Sequence, residues 1–133
     1  MPRDIRSKMR VLVAEDEESH RKLTMLMLAH LGYKSDAVSN GRQAIQAVEH
    51  NQYALVLMDI VMPKIDGLEA TREIRKLGQN WLKIIGVTAY VVIDIWEMCL
   101  DAGMDDCITK PVRIGDLAEV LKKYALDTQS SAN

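Results

Sequence analysis

Phenylalanine is absent from this 133-residue chain, and cysteine and proline are scarce, with two and three residues respectively. Two cysteines are too few for a disulfide scaffold, and with no recognisable signal peptide they favour a reducing, cytoplasmic setting. Uncharged runs such as residues 84–93 are far shorter than the roughly 20 residues that a membrane helix needs. We therefore expect no membrane insertion.

Neither sign of charge is in large excess. Lys plus Arg number 17 and Asp plus Glu 19, which gives a net charge of −2 and no overall positive field to hold nucleic acid. Direct nucleic-acid binding is therefore not expected. Apolar residues make up 48% of the chain, an ordinary globular proportion. The length suits one domain, which we place at residues 9–125 between polar tails at 1–8 and 126–133.

Short apolar runs alternate with longer amphipathic segments. Strands are predicted at 9–14, 33–38, 54–58, 82–87 and 107–109, and helices at 19–31, 40–51, 66–77, 92–102 and 113–124. In the first helix, Leu23, Leu26, Met27 and Leu31 are predicted to share the buried face. Five β-α units predict an α/β fold with a parallel sheet and helices on both faces. Sites in such sheets form at the carboxyl ends of the strands.

Acidic residues follow two of these strands: Glu15 and Asp16 come after the first, and Asp59 after the third. Neighbouring carboxylates repel each other by about 1 kcal/mol per pair in water at 4 Å, so either one acid has a raised pKa or a cation lies among them. Carboxylate oxygens suit Mg²⁺. The alternative is a solvated acidic first turn of the helix, which explains Asp16 less well than its neighbours.

Asp59 ends an apolar strand, where a charge is costly unless it is paired or functional. One interpretation is a structural ion pair with Lys110. The other is a carboxylate nucleophile that accepts a phosphoryl group. Lys110 and Mg²⁺ would then neutralise the phosphoryl oxygens, and the Thr88 hydroxyl and the Ala89 N–H would donate hydrogen bonds to them.

A series of motifs resembles the receiver domain of bacterial response regulators and hybrid sensor kinases. They are Glu15-Asp16, MDIVMP around Asp59, IDG at 65–67, Thr88-Ala89, AGMDD at 102–106 and Lys110-Pro111. The resemblance covers about residues 9–125. It implies a flavodoxin-like (βα)5 sandwich of three layers with strand order 2-1-3-4-5.

The resemblance also implies roles for individual residues. Asp59 would be the phosphoacceptor, Thr88 the switch hydroxyl and Lys110 the cation that contacts phosphate. Asp16, Asp59 and the backbone carbonyl of Val61 would hold Mg²⁺ or Mn²⁺, with Glu15 acting indirectly. The Lys110-Pro111 bond is expected to be cis. The phosphoryl donor would be a histidine kinase or a phosphotransfer protein.

The chain departs from the family pattern in two places. Cys107 stands where the family often has an aromatic switch residue, so we expect Thr88 to carry the switch. On the fourth helix, Ile93, Trp96 and Met98 are apolar where charged residues are usual, which predicts an interface with a partner or a second copy. Alternatively, the helix is rotated so that the last helix covers Trp96. Cys99 and Cys107 are expected to meet only by accident of packing.

Three other functions compete with this interpretation. An aspartyl-phosphate hydrolase typically needs an acid two residues after the nucleophile, where this chain has Val61. A flavin or nucleotide module needs a Gly/Ser/Thr phosphate cradle after the first strand, where this chain has four acids. A receiver-like domain that only docks proteins would not need Asp16, Asp59, Thr88 and Lys110. A stand-alone regulator and part of a hybrid kinase both remain open, and the GMDD and LEATREIR stretches favour the second.

Overall fold

The structure, a computed structural model, describes residues 10–62, 66–79, 81–89 and 93–131, with side chains described up to 124 and not at Ile93. The elements are β1 (Arg10–Ala14), α1 (Glu18–His30), β2 (Lys34–Val38), α2 (Gly41–His50), β3 (Leu55–Asp59), α3 (Gly67–Lys76), β4 (Lys83–Thr88), α4 (Ile93–Ala102), β5 (Asp106–Thr109) and α5 (Ile114–Ser131). The five strands form one parallel sheet in the order β2-β1-β3-β4-β5, which confirms the predicted architecture.

Alternate residues of the central strands feed two separate cores, because successive side chains in a strand point to opposite faces. Leu12, Val56 and Ile84 pack on the face covered by α2, α3 and α4. Val11, Leu55 and Ile85 pack on the face covered by α1 and α5. Every residue of β3 is buried. A strand buried on both faces has no polar alternation, which is why 55–59 is a continuous apolar run up to Asp59.

Two helix starts follow from local side-chain chemistry. Asn40 accepts a hydrogen bond from the Gln43 N–H at 2.8 Å, and the Gln43 side chain accepts one from the Ser39 N–H at 2.8 Å. Asp66 accepts from the Glu69 N–H at 2.9 Å. These bonds satisfy N–H groups that have no partner inside the helix. The predicted N-termini of α2 and α3 are therefore confirmed.

The turn between α4 and β5 is held from α3 by Arg75. Its guanidinium donates to the carbonyls of Gly103 at 2.9 Å and Leu82 at 2.6 Å, and to Asp105 Oδ2 at 2.9 Å. Asp105 Oδ2 also accepts from the Ile84 N–H at 2.9 Å. Gly103 has φ of 109° and its Cα faces the Arg75 side chain, so this turn requires glycine. The turn thus places β5 beside β4.

The sequence-based prediction for the buried face of α1 was wrong at Leu23 and Leu26, whereas Met27 and Leu31 pack against the core as predicted. Leu23 and Leu26 are 53% and 68% exposed, whereas Thr24 and Leu28 are buried. Residues 23–28 are apolar on nearly every side, so their spacing did not define one face. At the other end of the chain, α5 continues to Ser131, so most of the segment predicted as a polar tail from 126 is helical. The predicted tail at 1–8 lies outside the described residues.

Candidate functional site

Asp59 is the last residue of β3 and is 3% exposed. Its Oδ2 atom accepts a hydrogen bond from Lys110 Nζ at 2.9 Å, and its Oδ1 atom accepts one from the Val61 N–H at 3.3 Å. The carboxylate is thus buried, and each of its oxygens accepts a hydrogen bond. Its position follows from the strand, because residues 55–58 fill the core and the residue after them lies at the carboxyl edge of the sheet.

Lys110 joins this carboxylate to a second one. Its Nζ atom lies 3.1 Å from Glu15 Oε1, and Glu15 is also buried. Glu15 Oε2 accepts from the Glu17 N–H at 2.9 Å, and the Glu15 N–H donates to the Val38 carbonyl at 3.1 Å. Parallel strands bring these residues together, because β1, β3 and β5 end at the same edge. The predicted Asp59–Lys110 contact is confirmed, and Glu15 shares it.

Asp16 completes a cluster of three carboxylates. Glu15, Asp16 and Asp59 each offer an oxygen, and these three atoms lie within 4.8 Å of one another. Arg21, on the first turns of α1, donates to the backbone carbonyls of Glu15 at 2.8 Å and Asp16 at 3.4 Å. These two hydrogen bonds fix the backbone of Glu15 and Asp16, while the Asp16 side chain stays exposed. The donor set is all oxygen and suits a hard divalent cation such as Mg²⁺.

The two buried acids have pKa shifts of opposite sign. Burial, with the charge of Glu15, raises the pKa of Asp59 to about 6 despite the Lys110 hydrogen bond. Burial also acts against the charged form of Glu15, but the Glu17 N–H and Lys110 outweigh it and lower the pKa of that carboxyl. Burial likewise acts against the charged form of Lys110, and its bonds to Asp59 and Glu15 outweigh it and raise its pKa. At neutral pH the site therefore carries two buried carboxylates and one ammonium.

Gly67 fixes the backbone beneath Asp59. Its N–H donates to the Ile60 carbonyl at 2.9 Å, and a Cβ at this position would lie 2.2 Å from the Asp59 carbonyl oxygen. Only glycine allows this close approach of α3 to the end of β3. We did not assign Gly67 a role from the sequence, although the IDG motif contains it. The remaining motif residues Pro63 and Ile65 lie outside the described part of the chain.

Thr88 and Ala89 lie on the same rim. Thr88 ends β4, is 2% exposed, and pairs in register with Thr109. Its carbonyl accepts from the Lys110 N–H at 2.7 Å, and Ala89 follows it in an exposed position. Asp59 pairs with Val87, so Thr88 stands one residue further toward the rim. The Lys110-Pro111 bond is cis, as predicted.

The residues singled out on α4 and β5 lie away from the carboxylates. Trp96 and Met98 are 43% and 46% exposed, as predicted, while Cys99 and Ala102 are buried; the side chain of Ile93 lies outside the described residues. Leu100 is 44% exposed and was missed, although its spacing of four from Trp96 places it on the same helix face. Met98, two residues from Trp96, faces another direction. Cys107 is half-buried, and its sulfur lies 3.8 Å from that of Cys99, so the packing of α4 on β5 does bring these two free thiols together.

A cavity of about 240 Å³ opens beside the site, between α1 and residues 110–112. Leu23, Met27 and Pro111 supply apolar walls, and Glu15 and Lys110 lie at the end that faces the carboxylates. Leu23 is exposed there rather than packed against the sheet. This cavity explains why an apolar residue of α1 lies on the surface next to a polar site.

Comparison with known proteins gives a consistent family match. The model of the response regulator receiver domain matches residues 11–122. The sensor histidine kinase RcsC of Salmonella typhi is 36% identical over 122 residues, covering 92% of this chain and 13% of that protein. RcsC of Escherichia coli K12 is 37% identical over 117 residues, covering 88% of this chain and 12% of that protein. The chain therefore spans about an eighth of the length of these curated relatives.

Solved structures agree. The receiver domain of the sensor histidine kinase PA1611 from Pseudomonas aeruginosa PAO1, with a magnesium ion coordinated in its active-site cleft, is 36% identical with a TM-score of 0.80. The match covers 87% of this chain and 96% of that one. Full-length ShkA in complex with AMPPNP is 38% identical with a TM-score of 0.80, over 88% of this chain and 24% of that one. Within the described residues, no helix combines the length and apolarity needed to span a membrane.

Proposed function

Because the chain belongs to the response regulator receiver domain family and is a receiver domain of two-component signalling, we propose that Asp59 accepts a phosphoryl group from a phosphohistidine. One observation carries this proposal: a buried carboxylate at the end of β3 is bound by Lys110 at 2.9 Å and faces two further acids within 4.8 Å. A structural ion pair alone would need neither the exposed Asp16 nor the second buried acid, Glu15. The domain would act as a phosphoacceptor rather than as a turnover enzyme.

The transfer step uses the ionised form of Asp59. Its pKa of about 6 leaves it charged at neutral pH, while burial removes much of the water that would otherwise solvate it. A carboxylate oxygen forms the new bond to phosphorus as the bond from phosphorus to the donor's imidazole nitrogen breaks. The imidazole keeps the electron pair of that bond. In-line positioning and charge neutralisation then account for most of the catalysis.

Three groups of this chain would stabilise the transferred phosphoryl group. The Lys110 ammonium would pair with a phosphoryl oxygen, exchanging one of its present carboxylate contacts for it. The Thr88 hydroxyl and the Ala89 N–H would donate hydrogen bonds from the neighbouring strand end. Thr88 would thereby link the state of Asp59 to the segment that leads into α4, which is the proposed conformational switch.

The carboxylate cluster fits a divalent cation. Asp16, Asp59 and the backbone carbonyl of Val61 would hold Mg²⁺, or Mn²⁺ in its place, and Glu15 would act indirectly because Lys110 already contacts it. When bound, the ion supplies positive charge that offsets the acids and the incoming phosphoryl oxygens. Without it, three carboxylates and one ammonium leave an excess of negative charge that repels phosphate.

The cavity between α1 and residues 110–112 supports a protein as phosphoryl donor. Its walls of Leu23, Met27 and Pro111 suit the apolar face of a helix, and it ends at Glu15 and Lys110. A helix docked there would bring a phosphohistidine toward Asp59. We propose a histidine kinase or phosphotransfer protein as this partner, in the cytoplasm. The sensor kinases among the relatives support a place in a hybrid kinase.

Phosphorylation by a small acyl phosphate tests this function directly. We expect acetyl phosphate with Mg²⁺ to add one phosphoryl group to the wild type, as measured by intact mass, and chelation of the metal to suppress the reaction. Asp59→Asn should remain unmodified, whereas Asp101→Asn, a change at an exposed site on α4, should react like the wild type. A mass increase that persists in Asp59→Asn contradicts the proposal.

A further inference from the structure

The two cysteines of the chain meet where α4 packs on β5. Cys99, in the last turn of α4, is fully buried, and Cys107, in β5, is half-buried. Their sulfur atoms are 3.8 Å apart. Neither thiol takes part in the phosphoacceptor site described above. A pair of thiols at this distance could form a disulfide after a small movement of the side chains, and the proposed function does not use it.

Local packing determines this contact. Cys107 pairs in register with Gly86 of β4, and a Cβ at Gly86 would lie 3.5 Å from the Cys99 sulfur and 2.7 Å from the Met104 sulfur. The missing side chain at Gly86 therefore leaves the space that the sulfur atoms fill. The Met104 N–H donates to the Cys99 carbonyl at 3.0 Å, and Arg75 holds the turn that follows. Both cysteines are thus attached to well-anchored backbone.

We propose that Cys99 and Cys107 form a redox modification site, in which a low-molecular-weight disulfide of the glutathione class converts the two thiols to an intramolecular disulfide. The sulfur atoms would have to approach from 3.8 Å to about 2.05 Å, a movement of the order that side-chain rotation supplies. The new bond would tie the last turn of α4 to β5.

The chemistry balances in two exchange steps. The Cys107 thiolate, on the more accessible residue, attacks one sulfur of the small disulfide and releases the first small thiol. Cys99 then attacks the Cys107 sulfur of the mixed disulfide and releases the second. The protein loses two electrons and two protons, and the small disulfide gains them as two thiols. Burial raises the pKa of Cys99 and, together with the neighbouring Cys99, that of Cys107 to about 12, so the reduced pair persists until an oxidant is supplied.

Oxidation would also act on signalling, and this part rests on the proposed function. Cys107 lies three residues before Lys110, and Cys99 lies on the helix that carries Trp96 and Leu100. A covalent tie between α4 and β5 would restrict any rearrangement of these elements that phosphorylation of Asp59 causes. The expected result is a protein that still accepts the phosphoryl group but changes its α4 region less.

Incubation with excess oxidised glutathione, followed by intact mass and non-reducing peptide mapping, tests the site. We expect the wild type to lose two hydrogen atoms, to retain no glutathione, and to yield one peptide pair joined through Cys99 and Cys107, all reversed by dithiothreitol. Cys99→Ser should instead retain one glutathione on Cys107, and Cys107→Ser should react much more slowly. Circular dichroism checks that each variant is folded. A wild type that keeps bound glutathione, or that stays reduced while Cys99→Ser is modified, overturns the proposal.

A second measurement separates this proposal from the phosphoacceptor proposal. Oxidised and reduced wild type are treated with acetyl phosphate and Mg²⁺, and hydrogen exchange is measured across α4. We expect equal phosphoryl incorporation and a smaller phosphorylation-dependent change in exchange in the oxidised protein. Disulfide formation without any phosphorylation contradicts the proposed function only. An equal change in exchange in both forms overturns the regulatory role of the disulfide.

Discussion

Lys110 is the single cation that contacts the buried carboxylates in the described part of the chain. It lies 2.9 Å from Asp59 and 3.1 Å from Glu15, so one positive charge serves two acids, and Asp16 adds a third nearby. The imbalance appears in the raised pKa of Asp59. Strained electrostatics of this kind are typical of functional sites, because binding of a cation or a chemical step relieves them.

Replacing Asp59 by Asn should stabilise the metal-free protein at pH 8. The pKa of Asp59 is about 6 in the folded state, against 3.8 for an unperturbed aspartate, so its contribution to stability is present at low pH and lost as the pH rises to about 6. Above that pH, ionisation costs on the order of 1–3 kcal/mol, which the Asn variant avoids. Thermal melts with a chelator should show a higher Tm for Asp59→Asn at pH 8 and a smaller gain at pH 5.

Asp101→Asn is the control, since it removes an exposed charge from α4 and should change the Tm little at either pH. A lower Tm for Asp59→Asn than for the wild type at pH 8 would mean that the bond to Lys110 outweighs the cost of burial. The same result would contradict the inference that the ionised carboxylates destabilise the metal-free protein.

The position of the site could be predicted from single residues, but several of its contacts could not. Asp59 and Lys110 follow apolar runs, and the rule that parallel strands end at one edge brings them together. The bond from Lys110 to Glu15 depends on rotamers that no spacing encodes. The contact between Cys99 and Cys107 depends on the tight turn at Gly103 and on the missing side chain of Gly86, whose effects appear only in three dimensions.

At the scale of secondary-structure elements, the two ends of α3 contact the end of β3 and the turn before β5. Gly67, its first residue, packs against the Asp59 carbonyl, and Arg75, in its last turn, holds the turn before β5. The strands β1, β3 and β4 were predictable because each is a short, mainly apolar run. The face of α1 was not, because Leu23 borders the cavity beside the site and Leu26 lies on the surface instead of in the core.

Arg75→Ala should destabilise the fold by about 2–4 kcal/mol, because it removes charged hydrogen bonds to the carbonyls of Gly103, Gln79 and Leu82. Urea unfolding measures this loss. Arg72→Ala on the same helix is the matched control: its exposed pair with Glu69 should contribute less than about 0.5 kcal/mol. Equal losses in the two variants would show that Arg75 does not hold the turn.

Gly67→Ala should disturb both stability and the site. The new Cβ would lie 2.2 Å from the Asp59 carbonyl oxygen, so the backbone must move, at a cost of about 1–3 kcal/mol. Gly115→Ala, in α5, meets nothing within 4 Å and should be neutral or stabilise by up to about 1 kcal/mol. Chemical denaturation and the rate of phosphorylation by acetyl phosphate both report on the pair. Unchanged stability and rate in Gly67→Ala would contradict the tight packing at this position.

At the scale of the whole molecule, the exposed apolar face of α4 lies apart from the polar site at the strand ends. The acids and Lys110 share the rim at the carboxyl ends of the strands, whereas Trp96 and Leu100 share a face of α4. With a net charge of −2, long-range repulsion between copies is weak. An apolar helix face on a nearly neutral domain is therefore free to associate.

Self-association or partner docking through the exposed face of α4 is the last prediction. Trp96 is 43% exposed and Leu100 44%, and a spacing of four places them side by side on the helix. Trp residues are enriched at binding hot spots because they bury a large area with few rotatable bonds. We expect sedimentation of the wild type to show concentration-dependent association that phosphorylation strengthens. Trp96→Glu should abolish it, because pairing would bury an uncompensated charge. Trp81→Glu is the matched control, since Trp81 is 51% exposed but lies in the loop before β4. If all three proteins sediment as monomers at high concentration, with and without phosphorylation, the α4 face does not mediate self-association, and docking to the kinase partner becomes the use to test.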